Sequence, residues 1–501
     1  MLVLWFKSKI LRSIPLIFGV SVQILQFFTN AGAQDLEIRV KIEADQPANA
    51  RVGGIFKTAR TIKSAKNMSF LMSYAGIAGL GERVSEMRLA DKNGLSVESK
   101  RLIAGEYLAE SEFRSWSYKF SLEPLSNAAA AAHLSWIADE RGVIMLDDLL
   151  PQLGPRTSAR VSFELPAGWT VSSVAEGNGA GVFDTPDIEK AVFYLGRQRR
   201  EKELEVGKSR LKLGISGAWR FTDDEAATMA ASVFREYTRI FGSAPDGDFI
   251  IDISKFPSAT GFGRWEADTR GSSVTIVSSD MPFKTQSLQR LHEQLRHELF
   301  HLWIPNGVNL SGSYDWFYEG FALYQSLKLG VAVNRLRFDD FLDTLSRAYD
   351  IDSMQAKRMS LVDASRNRWN GANTQIYARG MLVAFMCDLT LLENSRGKRS
   401  VTDMNRRVFE RHRLPNPAAD GTESILTILR SERELTAIID GNITGVESLN
   451  WTRLLNAAGI QPKVRDQVTR LTVMPKLSGH QKDLLDKLGY NNWRKLAESN
   501  K

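Results

Sequence analysis

The stretch that most constrains this chain is Arg290-Leu-His-Glu-Gln-Leu-Arg-His-Glu-Leu-Phe-His-Leu-Trp303. At about 100° per residue, Leu288, Leu291, Leu295, Leu299 and Leu302 fall on one stripe, so the spacing predicts an amphipathic helix. Arg290, Glu293, Gln294, His297 and His301 fall on the other side. Such a helix can bury its leucines and still turn both histidines towards a cleft. His297-Glu-Leu-Phe-His301 is an H-E-x-x-H match. Residues four apart share a helix face, so the two imidazoles can hold one metal ion, with Glu298 beside it and placed to act on a water. Taken alone, these five residues also fit an ordinary amphipathic helix.

A second segment, Tyr314-Asp-Trp-Phe-Tyr-Glu-Gly-Phe-Ala-Leu-Tyr324, weighs against that plainer reading. A hydrolytic zinc site needs a third protein ligand and one open position. Glu319 stands 18 positions after His301, far enough for a loop and a return. Its neighbours Trp316, Phe317, Phe321 and Leu323 are apolar, which predicts a buried segment. A buried carboxylate is costly without a partner, and metal ligation supplies one. Further on, helices are expected from Phe338 to Tyr349 and from Arg379 to Leu392. Tyr377 stands at the start of the second, where a phenol can project into the cleft.

The chain opens with Lys7, Lys9 and Arg12 ahead of an uncharged run from Ser13 to Gln34 that ends in Ala31-Gly-Ala33. This is the pattern of a cleaved secretory signal with Gln34 as the mature N-terminus. The alternative is an uncleaved membrane anchor, since the run approaches spanning length, although Gln23, Gln26 and Asn30 dilute its hydrophobicity. Its three cations account for three of the seven net positive charges, leaving about +4 (7 − 3). That surplus is spread along the chain in short clusters such as Arg197-Gln-Arg-Arg-Glu-Lys202, which gives no reason to expect a nucleic-acid partner. The single cysteine, Cys387, lies in an apolar run and reads as a buried structural thiol. An exported chain without disulfides fits a bacterial periplasm or envelope.

From Asp35 to about Leu213 the pattern has mostly period two, as in Leu36-Glu-Ile-Arg-Val-Lys-Ile42 and Arg160-Val-Ser-Phe-Glu-Leu165, which predicts a β-rich sandwich-like domain. Asn127 to Ala132 is alanine-rich and ambiguous in type. Near Gly214 the character changes. Thr222-Asp-Asp-Glu caps a helix running to about Ile240, and Phe249-Ile-Ile-Asp-Ile253 reads as a buried strand. Ser272-Ser-Val-Thr-Ile-Val-Ser-Ser279 reads as the sheet edge lining a peptide cleft. The last part, about Ser448 to Lys501, shows two short helical patterns, Trp451 to Ala458 and Gln481 to Ala497.

Three motifs in order, His297-Glu298-x-x-His301, Trp316-Phe-Tyr-Glu-Gly-Phe-Ala-Leu-Tyr324 and Tyr377-Ala-Arg-Gly-Met-Leu-Val-Ala-Phe-Met-Cys-Asp388, resemble the glycyl aminopeptidase family of the thermolysin-like zinc peptidases, the gluzincins. The likeness covers about Gly214 to Gly445 and, more faintly, the β-rich N-terminal domain. It implies one zinc ion held by His297, His301 and Glu319, with Glu298 as general base and Tyr377 as hydrogen-bond donor to the oxyanion. It further implies an amine-binding Gly-x-x-Glu segment, for which Gly263-Arg-Trp-Glu266 is the candidate. The family's usual His after that Glu is Ala267 here, and Arg264 alters the pocket. The expectation is therefore an α+β protein. A signal segment (1–33) precedes a β-rich domain (34–213), a thermolysin-like, mainly helical catalytic domain (214–445) and a short helical tail (446–501). The expected activity is zinc-dependent cleavage of peptides, with removal of N-terminal residues first. Endopeptidase action on the same site and a catalytically silent peptide-binding scaffold stay open beside it. The partner is a peptide or protein substrate, with a membrane involved only if the N-terminal segment is uncleaved. The sequence is silent on oligomeric state.

Overall fold

Strict alternation makes Leu36–Glu43 a strand that buries Leu36, Ile38, Val40 and Ile42 and exposes Glu37, Arg39 and Lys41. It lies inside an eight-stranded sheet, pairing antiparallel with Asn49–Phe56 and parallel with Ala159–Glu164. The structure, a computed structural model, describes residues 34–491 except 58–65, 155, 356 and 467. The leader expected over 1–33 lies outside the described residues, as does the end of the helical pattern expected to reach Ala497.

A second sheet has four strands in the order Trp136–Ala138, Arg141–Met145, Val192–Gly196 and Thr170–Ser172. Its strand Val192–Gly196 is buried at every position, and the period-two geometry shows why. Phe193 and Leu195 enter the core shared with the eight-stranded sheet, while Val192 and Tyr194 enter a smaller core with Ile250, Phe256 and Val277. The four-stranded sheet is thus the middle layer between the β-rich half and the next sheet. The alanine-rich run resolves as a 3₁₀ turn, Ala128–Ala132, capped by the Asn127 side chain.

The third sheet has five strands in the order Arg200–Val206, Ser209–Ile215, Phe249–Lys255, Ser273–Ser278 and Trp265–Arg270. The middle three are parallel and the outer two antiparallel to their neighbours. This corrects one expectation. Ser273–Ser278 is internal and fully buried, and the edge is the hairpin partner Trp265–Arg270. The reason is topological, since the antiparallel Trp265–Arg270 adds outside the strand that follows it.

Helices cover the far side of this sheet. Asp223–Phe241 starts at a Thr222/Glu225 capping box and stops at Gly242 in the left-handed region. Lys284–Glu298 carries the first motif, and Gly320–Ala332, Phe338–Ser353 and Asn373–Ser395 follow. Asn373–Ser395 is long and apolar enough to cross a membrane, but its apolar window is 94% buried inside the protein, which makes it the central core helix. Cys387 is fully buried on it, and burial pushes its thiol up. The tail differs from the helical expectation. Between Thr452–Ala457 and Gly479–Lys487 stands a hairpin, Ile460–Arg465 with Val468–Val473. Its Leu471 is buried and the Leu471 N–H donates to Ser346 Oγ at 2.9 Å, so packing on a neighbouring helix fixes it. The fold is α+β, with a β-rich N-terminal half and a mainly helical C-terminal half.

Candidate metal centre and active site

The motif helix ends at Glu298, and His301 sits in a 3₁₀ turn, Leu299–Leu302. The two histidines still share a face, with their Nε2 atoms 3.3 Å apart. The helix is buried more widely than its leucine stripe suggests. Gln294, expected on the cleft side, is buried instead and donates to Ser278 Oγ at 2.8 Å. Glu319 arrives from the joint between Asp315–Tyr318 and Gly320–Ala332. Its Oε2 is 3.5 Å from His297 Nε2 and 3.7 Å from His301 Nε2.

Among the described residues, this is the one His/Cys/Asp/Glu group whose ligand atoms converge on a common point, all within 4.8 Å of one another. Donor atoms held at zinc distances, about 2.0–2.1 Å in a tetrahedron, lie roughly 3.3 Å from one another, close to what is seen. Glu319 Oε2 is buried with no hydrogen-bond partner, as expected of a carboxylate oxygen meant for a cation. His301 Nδ1 lies 3.1 Å from the Ile304 carbonyl; protonated there, it donates to that oxygen and leaves Nε2 free as a ligand. The residues present fit a zinc-sized ion.

Glu298 is buried beside this cluster, with Oε1 3.9 Å from His297 Nε2. Its Oε2 accepts a hydrogen bond from Thr269 Oγ1 at 2.9 Å. Burial pushes the Glu298 carboxyl up to about 7, with His297 and Thr269 partly opposing. Burial pushes His301 down to about 4. Burial also opposes charge on His297, but Glu319 and Glu298 outweigh it and hold that imidazole above its usual value. For Glu319, burial is outweighed by His297 and Arg368, which keep it ionised.

Arg368 organises the remaining side. Its Nη2 lies 2.9 Å from Glu319 Oε1 and donates to Tyr377 Oη at 3.0 Å, while Nη1 donates to Asp315 Oδ1 at 2.8 Å. The Glu319 carboxylate is therefore divided, one oxygen for the guanidinium and one for the metal point. Tyr377 lies one turn inside Asn373–Ser395, and its hydroxyl accepts from Arg368 and donates to Glu319. Burial pushes that phenol up. The close approach that brings Tyr377 to Glu319 rests on two glycines. A Cβ at Gly320 would stand 2.5 Å from Gly380 Cα, and one at Gly380 would stand 2.9 Å from Gly320 Cα.

His297, Glu298, His301, Glu319 and Tyr377 all line one cavity of about 910 Å³. Its wall is the edge strand Trp265–Arg270, whose outer side is unpaired among the described residues. Tyr74 and His133 of the β-rich half close the far side. Glu266 lines the same cavity, but strand alternation groups it with Asp268 and Arg270, opposite Thr269. Arg264 does not line the cavity; its Nη2 lies 3.5 Å from Glu266 Oε1. Sequence reasoning missed Thr269 and Arg368. Neither belongs to a motif, and their partners are distant along the chain.

No family model and no curated protein matches this sequence. Solved structures match its fold. An aminopeptidase N family protein from Idiomarina loihiensis superposes with a TM-score of 0.72 at 15% identity, covering 89% of this chain and 82% of that one. A variant of an M1 zinc metallopeptidase from Deinococcus radiodurans, bound to a Tyr-Ser-Ala substrate, superposes at 0.54 with 16% identity, covering 83% of this chain and 95% of that one.

Proposed function

We propose that this chain is a zinc-dependent peptidase that removes N-terminal residues from peptides. The observation that carries the reading is the convergence of His297, His301 and Glu319 beside the buried Glu298, in a cavity walled by an unpaired strand edge. The names of the structural neighbours, an aminopeptidase N family protein and an M1 zinc metallopeptidase, support it at the level of a zinc peptidase. The resemblance to glycyl aminopeptidases stays within that reading, without a glycine preference.

Zinc held by the three ligands would supply a Lewis acid and lower the pKa of a water. The chain's own residues do the rest. An extended substrate pairs its backbone with Trp265–Arg270, as peptides add to free sheet edges. Glu298, buried beside the ligand cluster, takes a proton from the attacking water and gives it to the leaving amine. Thr269 holds the carboxylate in place by its hydrogen bond. Tyr377 donates to the oxygen on which charge develops, and Arg368 fixes that hydroxyl. Glu266 is the candidate grip for the free amine. Arg264 is its competing cation, and its approach to Glu266 supports the second reading, an endopeptidase with the same chemistry.

The test is metal content together with hydrolysis of free and N-acetylated peptides. Glu298→Gln should keep about one zinc per chain and lose roughly 10²–10⁴-fold in kcat. Cleavage of acetylated peptides would move the reading to the endopeptidase. A metal-free, inactive wild type would leave a peptide-binding scaffold. Export to a periplasm or envelope belongs to the same proposal and rests on the 1–33 pattern. N-terminal sequencing of the mature chain checks it, with Gln34 first as the expected result.

A further inference from the structure

Beside the metal ligands the same cavity is lined by Glu293 and Arg296 of the motif helix, by Leu323 and Leu327 of Gly320–Ala332 and by Arg335 and Arg347, and this part is its arm. Glu293 is four residues back from His297, so the arm begins roughly 6 Å along the helix from the ligand cluster. That is the reach of a substrate group next to the scissile bond.

Arg296 is only 4% exposed, yet its Nε and Nη1 have no hydrogen-bond partner. Gly330 leaves room for the guanidinium, since a Cβ there would stand 1.4 Å from Nη1. The carboxylates lining the arm are already held by arginines that do not line it. Glu293 pairs with Arg290 at 2.7 Å, Asp340 with Arg337 at 2.7 Å and Asp343 with Arg470 at 3.5 Å. By contrast, Arg296, Arg335 and Arg347 line the arm without an ion pair at contact distance among the described residues, although Glu293 acts on Arg296 and Asp340 on Arg347 through their charges. A buried guanidinium without a contact partner is costly to fold around, and with Nε and Nη1 sealed inside, Nη2 is the atom left for a carboxylate to reach.

We propose that this arm binds a carboxylate of the substrate, with Arg296 as the buried contact and Arg335 and Arg347 as the cationic rim. The assignment rests on the peptidase reading and gives it a substrate class, peptides with a negative charge beside the cleaved bond. Two sources share this chemistry, an acidic side chain and the free C-terminal carboxylate of a dipeptide.

The experiment is calorimetric binding to the full-length, zinc-loaded Glu298→Gln protein. The ligands are alanyl-glutamine amide, alanyl-glutamate amide and alanyl-glutamine with a free carboxylate. At least one acidic ligand should bind about tenfold or more tightly than the neutral amide, and which one does so identifies the source. Adding Arg296→Met should reduce that preference to about twofold or less, and should raise the Tm of the ligand-free protein because a lone buried charge is gone. Arg335→Gln, at an exposed position that folding tolerates, should reduce it about two- to threefold. Equal binding of all three ligands overturns the proposal, as does Arg296→Met that melts lower and keeps the preference. Cleavage is read separately in the wild type. A chain that prefers the carboxylate but cuts none of the three peptides overturns the peptidase reading alone.

Discussion

Arg368 shows how one residue without a motif can govern a site. It reaches Glu319, Tyr377 and Asp315 at once, which a lysine's single ammonium cannot do. Arg368→Lys should therefore weaken metal binding about 10–100-fold, the usual cost of losing a group that orients a ligand, as measured by chelator competition. His292 gives a pH prediction away from the ligands. Burial, with help from Arg296 and Arg335, pushes its imidazole down to about 3. Between that value and the unfolded one near 6.5, the native state binds fewer protons than the unfolded state, so stability rises with pH. The stabilisation is complete above the unfolded value and is lost as pH falls. At pH 5 the cost is about 2 kcal/mol. Denaturant unfolding of His292→Gln at pH 5 and pH 7.5 should show a difference smaller by about that amount. That His297, Glu298 and His301 share one place was legible in the sequence because their spacing sets a helix face, while Glu319 and Tyr377 were candidates that a family resemblance strengthened. Thr269 and Arg368 were not, because a lone Thr or Arg has meaning only through what it touches.

At the level of elements, period and capping placed the helices well, and strand order was where expectation failed. The capping box at Thr222 and the apolar run of Phe249–Lys255 are local features, and both appear where the pattern puts them. Which of two adjacent strands forms the sheet edge is not local. Ser273–Ser278 and Trp265–Arg270 have similar lengths, and the choice between them depends on which pairs with Phe249–Lys255. The Gly320–Gly380 crossing is a further non-local device, bringing two helices nearly backbone to backbone. Gly380→Ala should force them apart, lowering stability by about 1–3 kcal/mol, as overpacking does. Because Glu319 and Tyr377 flank the crossing, zinc affinity should fall as well. Thermal melting with and without added zinc separates the two effects, since a purely structural loss would leave the zinc-induced rise in Tm unchanged.

Over the whole molecule, three sheets lie in layers and the four-stranded one is shared. Tyr194 on it donates to or accepts from Thr275 Oγ1 at 2.8 Å, tying the β-rich half to the sheet that carries the cleft wall. Tyr194→Phe leaves Thr275 buried without that partner and should cost about 1–3 kcal/mol, read from denaturant midpoints. The chain should still unfold in one transition, because the small core of Val192, Tyr194, Ile250, Phe256 and Val277 belongs to both halves. The sequence by itself determined the residue types, the helix and strand periods and the motif spacing, so it could pair His297, Glu298 and His301, with Glu319 and Tyr377 as candidates that a family resemblance strengthened. These are properties of neighbours along the chain, set by 3.6- and 2-residue repeats. Tertiary structure alone decided the edge strand, the Arg368 clamp, the exclusion of Arg264 from the cavity and the unpaired Arg296. Each depends on which distant segments pack together, and that is settled by the total burial of the folded chain rather than by any local pattern.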